Sequence, residues 1–254
     1  MSEKWKHFNK RKKQYSIIAV TGIIVILSVL LVFLIYSDKK SIEPVTNTVK
    51  TTNSTTIVPK PTEEPTTTMD FSELKGINSE VFAYINIPGT NIDYPILQSA
   101  TEDDAYYLNH TIEKKEGLPG TIYTEKYNSK EFTDPVTVVY GHNMKNGSMF
   151  ADLHKYEDKA FFDSNPYIYI YLPDKAIKYR VFSATPFDDR YILGSYSFVS
   201  PTDFQEYLDE LRSGISGNVN ADVNVSQGTG ILTLSTCIAD SANERLLINA
   251  TREE

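Results

Sequence analysis

The sequence holds a single cysteine, Cys237, so no intrachain disulfide can form and a disulfide-stapled scaffold is excluded. Cys/His pairs at zinc-ligand spacing are absent, as are a Gly-rich phosphate loop and any internal repeat. Nucleotide-loop folds, zinc modules and solenoids therefore have no support in the chain. The acids are scattered without calcium-loop spacing, so no metal or other cofactor is expected. Tryptophan occurs once, against 17 tyrosines and 12 phenylalanines. That balance suits many strands with one wet face.

Charge is missing from one long stretch. Ser16 to Tyr36 contains no charged residue, and roughly 20 apolar residues at about 1.5 Å each span a bilayer core. No small-x-small cleavage site follows it, so the expectation is an uncleaved anchor over 16–36. Residues 1–15 form a basic tail with Lys4, Lys6, Lys10, Arg11, Lys12 and Lys13 against Glu3. The positive-inside rule predicts that tail in the cytoplasm and the rest outside, a single-pass cell-membrane protein. Residues 37–70 are rich in Thr, Pro and Ser and have no apolar periodicity, which predicts a disordered tether. The folded part is then 71–254. Beyond the tail the chain carries 19 basic and 32 acidic residues, which argues against nucleic acid as a partner.

Within 71–254, Phe71, Leu74, Ile77, Val81 and Phe82 are spaced for a helix with Asp70 as its cap. Two short strands should flank the turn Pro88-Gly89-Thr90-Asn91. Further β-rich runs are "GTIYTEKYN", "DPVTVVYGHN", "YIYIYLPDKAIKYRVFSATPF", "GILTLSTC" and "RLLINATRE". Helical signals lie in "SMFADLHKYEDKAFFDSN" and "SPTDFQEYLDELRSG", the second with Pro201 near its start and Gly214 as its C-cap. The pattern predicts a mainly β barrel or sandwich with few helices.

Cys237 ends an apolar strand and a polar loop follows it. A lone cysteine is commonly a small buried hydrophobe, but catalytic groups gather where rigid strands hand over to loops. A thiol nucleophile needs a cation or base beside it. Of four histidines, His7 falls in the basic tail, His154 reads as a solvated residue of a polar helix, and His110 carries no distinguishing context. His142 directly follows the strand "PVTVVYG", mirroring the placement of Cys237. Arg245 opens the last strand eight residues after Cys237, a spacing that suits a loop returning to an adjacent strand. Each of these also has a structural reading, as a rim histidine or a strand-end arginine.

Together these residues resemble the sortase family. "TLSTC" is similar to the family's TLxTC motif, Arg245 to its arginine, and "VVYGHN" to the strand bearing its histidine. The segment between about Pro186 and Gly214 resembles the insertion of class B. The resemblance implies an eight-stranded sortase-type β-barrel, with an N-terminal helix and a helical insertion before the cysteine-bearing strand. It implies a transpeptidase in which Cys237 is the nucleophile, His142 the acid/base and Arg245 the oxyanion or substrate clamp. Ser235, Thr236, Tyr191, Ile192 and Leu108 become candidates for substrate binding. Implied partners are surface proteins bearing a sorting signal, cut after a Thr, and an amine acceptor on a peptidoglycan precursor or a pilin lysine. Two other readings use the same residues. One is a secreted cysteine peptidase, though the Cys-Gly-Ser-Cys-Trp-type signature of papain-like enzymes is missing. The other is a tethered binding module whose cysteine only packs.

Overall fold

β-Branched and aromatic runs dominate the chain after residue 80, and they build one sheet that closes on itself. A computed structural model describes residues 69–213, 217–239, 241 and 243–253, which belong to the unit Thr62–Glu254. The strands are β1 (Val81–Asn86), β2 (Asp93–Leu97), β3 (Ile122–Thr124), β4 (Val136–Tyr140), β5 (Tyr167–Tyr171), β6 (Ala176–Asp188), β7 (Asn218–Val219), β8 (Ile231–Cys237) and β9 (Glu244–Arg252). Their order is β5-β1-β2-β3-β4-β8-β9-β6, and β6 pairs back with β5 to close an eight-stranded barrel. The two-residue β7 adds to β6 outside the ring. Pairing is antiparallel except at β2–β3 and β4–β8.

A barrel of eight strands has room inside only for side chains. Ile85, Ile96, Ile122, Val139, Ile170, Leu232, Leu234 and Ile248 fill it, each fully buried. β8 is buried on both faces. Leu232 and Leu234 point into the barrel cluster, while Ile231 joins a second cluster with Val136, Val138 and Leu247 beneath a helix. That double burial explains why the run before Cys237 is continuously apolar rather than alternating. Truncating Leu234 to Ala would cost about 2–5 kcal/mol.

The helix over the second cluster, Pro201–Arg212, is amphipathic. Phe204, Tyr207, Leu208 and Leu211 fall on one face and are buried. Ser200 caps it by accepting from the Asp203 N–H, and proline stands in its first turn. Three shorter α-helices span Ser72–Ile77 (α1), Lys159–Ser164 (α2) and Ile192–Ser195 (α3), so Pro201–Arg212 is α4. 3-10 turns cover Tyr106–Leu108 and Ala151–Glu157.

Several expectations change here. The helix predicted through Phe82 stops at Ile77, because Val81 and Phe82 begin β1 and are buried there. Its start is held by Asp70, which accepts from the Ser72 N–H at 2.8 Å. The segment "SMFADLHKYEDKAFFDSN" divides into a 3-10 turn and α2 rather than one helix. Gly214 and the basic tail, the apolar segment 16–36 and the tether up to residue 68 lie outside the described residues. The single-pass membrane localisation is corrected: no helix among the described residues is long and apolar enough to cross a membrane.

Candidate active site

Three strands deliver the site to one end of the barrel. β8 and β9 pair antiparallel with Cys237 directly opposite Arg245. The eight-residue spacing is thus one tight return through the loop between the strands. β4 runs parallel to β8 on its other side, with Tyr140 level with Ser235 and the Gly141 N–H donating to the Ser235 carbonyl at 3.2 Å. His142 follows two residues beyond that pair and lines the same cavity as Cys237. The thiol is exposed, whereas Ser235 and Thr236 before it are buried.

The residue before His142 must be glycine on steric grounds. A Cβ at Gly141 would meet Ile122 Cδ1 at 2.4 Å and Phe150 Cδ2 at 2.7 Å. Thr236 then ties the two strands together, its hydroxyl donating to the Gly141 carbonyl at 2.8 Å. The His142 Nε2 lies 2.8 Å from the Leu108 carbonyl. A carbonyl only accepts, so Nε2 carries a proton and Nδ1 is the nitrogen left with a lone pair in the neutral ring.

Leu108 is held in turn from the barrel wall. The neighbouring Tyr107 is buried; its hydroxyl donates to the Glu80 carboxylate and accepts from Asn78 Nδ2 at 2.8 Å. Glu80 also accepts from the Ala100 N–H at 2.8 Å and pairs with Lys114 at 2.9 Å. The segment that orients His142 is therefore pinned by a satisfied polar network rather than left as a free loop.

A cavity of about 280 Å³ opens at this end. Cys237, His142, Arg245, Ser235, Thr236, Tyr191, Ile192 and Leu108 all line it. Their environments differ. Tyr191 is half exposed, and burial, followed by Glu125 beside it, pushes its phenol up to about 12. Ile192 is buried and packs with Phe187, Leu193 and Phe204 at the start of the insertion. Its main contacts are core contacts. The insertion is clasped to the barrel by Arg190, which bonds Asp188 through Nε at 2.6 Å and Glu210 through Nη2 at 2.9 Å, over the Phe187 ring.

Four further residues meet the site without having stood out in the sequence. His154 does not stand in solvent. Its Nε2 lies 3.1 Å from the Cys237 carbonyl and its Nδ1 2.8 Å from Glu157. Asn143 Nδ2 donates to the same carbonyl at 3.0 Å. These contacts hold the backbone just beyond the thiol. A 3-10 turn rather than an α-helix carries His154, so helical spacing gave no signal. Glu125 and Tyr140 also line the cavity, one at the end of β3 and one at the end of β4. His110 lies apart in a different setting, stacked on Tyr106 with ring centroids 3.8 Å apart. Among the described residues no group of three or more His, Cys, Asp or Glu side chains is placed to hold a metal ion.

A closed eight-stranded barrel with a cysteine, an arginine and a histidine gathered at one rim defines a class of cysteine enzyme, and comparison with known proteins gives the class its family. The sortase domain family model matches residues 85–253. Sortase B of Listeria monocytogenes is 36% identical over 179 residues, covering 69% of this chain and 70% of the relative. The crystal structure of Clostridium perfringens sortase B superposes with a TM-score of 0.65 at 29% identity, covering 73% of this chain and 100% of that one. A Staphylococcus aureus sortase B–substrate complex gives a TM-score of 0.63 at 28% identity, covering 72% and 84%. The chain belongs to the sortase family. Its relatives are class B, and the protein is a class B cysteine transpeptidase.

Proposed function

We propose that residues 71–254 form the catalytic domain, and that it cleaves a sorting peptide of a secreted protein after Thr and transfers the acyl part to an amine of a peptidoglycan precursor. The observation carrying this reading is the meeting of Cys237, Arg245 and His142 on one cavity. The solved sortase B–substrate complex supports a peptide as the substrate class.

The reaction divides into acylation of the thiol and transfer to the amine. The Cys237 thiolate adds to the scissile carbonyl, forming a C–S bond and placing negative charge on the carbonyl oxygen. Arg245, opposite Cys237, stabilises that charge. The tetrahedral adduct collapses, the C–N bond breaks, and His142 gives a proton to the leaving amine. With Nε2 held by the Leu108 carbonyl, Nδ1 is the nitrogen that gives and later takes the proton. The acceptor amine then attacks the thioester, loses its proton to His142, and releases the thiolate with the new amide. Thr236 fixes the spacing of the two strands, and Ser235, Tyr191 and Leu108 form the walls against which the peptide lies. Ile192 supports that wall from the core side.

The test is incubation of the full chain with a pooled library of sorting-type pentapeptides, with a peptidoglycan-type amine, with a lysine-bearing peptide and with no amine, read by mass spectrometry. Amine-dependent ligation after Thr is expected. Ligation only to the lysine peptide redirects the acceptor to a pilin-type amine. Hydrolysis unaffected by any amine means a peptidase.

A further inference from the structure

His154 takes part in no step above, yet its ring touches the backbone of the nucleophile. It sits on the 3-10 turn Ala151–Glu157, outside the residues that line the cavity. Its Nδ1 lies 2.8 Å from a Glu157 carboxylate oxygen. Its Nε2 lies 3.1 Å from the Cys237 carbonyl and 3.0 Å from Asn143 Nδ2, which itself donates to that carbonyl at 3.0 Å.

Donor and acceptor rules leave this ring two arrangements. A carboxylate only accepts, so Nδ1 carries a hydrogen in both. Without a second proton, Nε2 accepts from Asn143 and turns a lone pair toward the Cys237 carbonyl. With it, the ring is an imidazolium: Nδ1 donates to Glu157 and Nε2 donates to the Cys237 carbonyl. The second arrangement replaces opposed lone pairs by a charge-assisted bond. Cys237 is the last residue of β8, and beyond it the Ile238 N–H reaches the Glu244 carbonyl only at 3.4 Å. The ladder weakens where the nucleophile stands, and His154 and Asn143 grip its carbonyl there.

Charged groups on the surrounding elements have other partners. Lys155 pairs with Asp152 on the same turn, Lys159 with Asp163 on α2, Lys178 and Arg180 of β6 with Glu253, and Asp188 of β6 with Arg190. On β9, Arg245 Nη1 donates to the Glu244 carbonyl, and His142 is bonded through Nε2 to Leu108. Lys145 is the charged residue of the loop carrying Asn143. Glu157 is the carboxylate bonded to the His154 ring.

We propose that His154 is a positioning residue for the nucleophile: as an imidazolium bonded to Glu157, it donates from Nε2 to the Cys237 carbonyl and fixes the strand end from which the thiol projects. The bond itself is independent of which peptide reacts; its effect on turnover rests on the cleavage reading above.

The chain holds one cysteine, so cysteine labelled with ¹³C at its carbonyl marks Cys237 alone. A carbonyl carbon resonance moves downfield when a donor is added. Spectra of the full-length wild type, His154→Gln and His154→Leu are recorded from about pH 8 to pH 5, where imidazoles titrate. The wild-type signal should move downfield as pH falls. Gln keeps an N–H donor at every pH, so its signal should begin downfield and move less. Leu has no donor, so its signal should stay upfield. His142 and the thiol are present in all three, so the differences report His154.

The same proteins are assayed for acylation in a single turnover. His154→Leu should slow it about ten- to hundredfold. The half-saturating peptide concentration should stay near wild type, because His154 does not line the cavity, and Gln should recover most of the rate. Thermal melting checks folding, and the wild-type and Gln spectra carry the test if Leu does not fold. A wild-type signal with the same pH dependence as the folded Gln variant, or a folded Leu variant that acylates like wild type, overturns the inference. A wild type that cleaves no peptide overturns the cleavage reading and leaves the resonance to decide this one.

Discussion

Cys237 and Arg245 are direct partners across the β8–β9 ladder, the last pair before the strands part. Opposed residues in an antiparallel pair hold their Cβ atoms about 5 Å apart. Strand register thus brings the stems of the two side chains together, while the guanidinium Nη1 donates to the Glu244 carbonyl at 3.0 Å.

Removing that cation should be felt in the transition state. Arg245→Ala is expected to lower kcat/KM for the sorting peptide by about 10²–10³-fold. Arg245→Lys should restore only part of it, since an ammonium lacks the planar fork of donors. Steady-state kinetics decide, and an Ala variant within a few-fold of wild type would remove Arg245 from the chemistry.

His142→Ala should cost about 10²–10⁴-fold in turnover while leaving the melting temperature close to wild type, because the ring lies at the rim rather than in the core. Leading the list of ways this fails is a variant that is inactive only because it unfolds, which a melting curve would reveal.

Gly141→Ala places a methyl group within 2.4 Å of Ile122 Cδ1 and 2.7 Å of Phe150 Cδ2, both in the barrel interior. Overpacking of this kind destabilises by about 1–3 kcal/mol. Urea unfolding should show the loss, and β4 should shift enough to lower activity as well. An Ala variant as stable and active as wild type would mean the strand end has room that the packing denies.

Glu125 gives a stability prediction with a defined sign. Burial raises its folded-state pKa above the ordinary carboxylate value of 4.5, so the folded protein binds the proton more tightly than the unfolded chain. Stability from this group is complete below the unfolded pKa and is lost as pH rises through the folded pKa. Glu125→Gln should therefore gain stability over wild type at neutral pH and lose that advantage near pH 4 (about the unfolded value). Denaturant midpoints at the two pH values measure it; an advantage that grows in acid contradicts the assignment.

Much of the barrel was legible because its strands are apolar and short. "GILTLSTC" and "PVTVVYG" read as strands since both are buried on two faces, and the turn at Gly89 declared itself by composition, with φ at +81°. The first helix was read too long because Val81 and Phe82 continue its apolar spacing, yet cross-strand pairing with Leu97 and Ile96 in β2 captures that segment. Cys237 and His142 stood out because each sits where an apolar strand ends, and Arg245 because it opens the next one. His154 and Glu125 did not. Nothing local distinguishes a polar residue that folds back onto a strand end from one that faces water, and only the closure of the barrel brings His154 to the Cys237 carbonyl and Glu125 to the cavity. Ile192 belongs to the cluster beneath α4 and also lines the cavity, so both packing and peptide contact are open to it.

The proposed reaction requires that Cys237 carry the acyl group. The most direct measurement is intact-protein mass spectrometry of the full chain after brief exposure to a sorting-type peptide library, alongside Cys237→Ala. The expected result is a mass increase equal to the peptide up to its Thr, mapped to Cys237, absent from the variant and discharged by an added amine. Cleavage that proceeds with no adduct and survives in Cys237→Ala would contradict it.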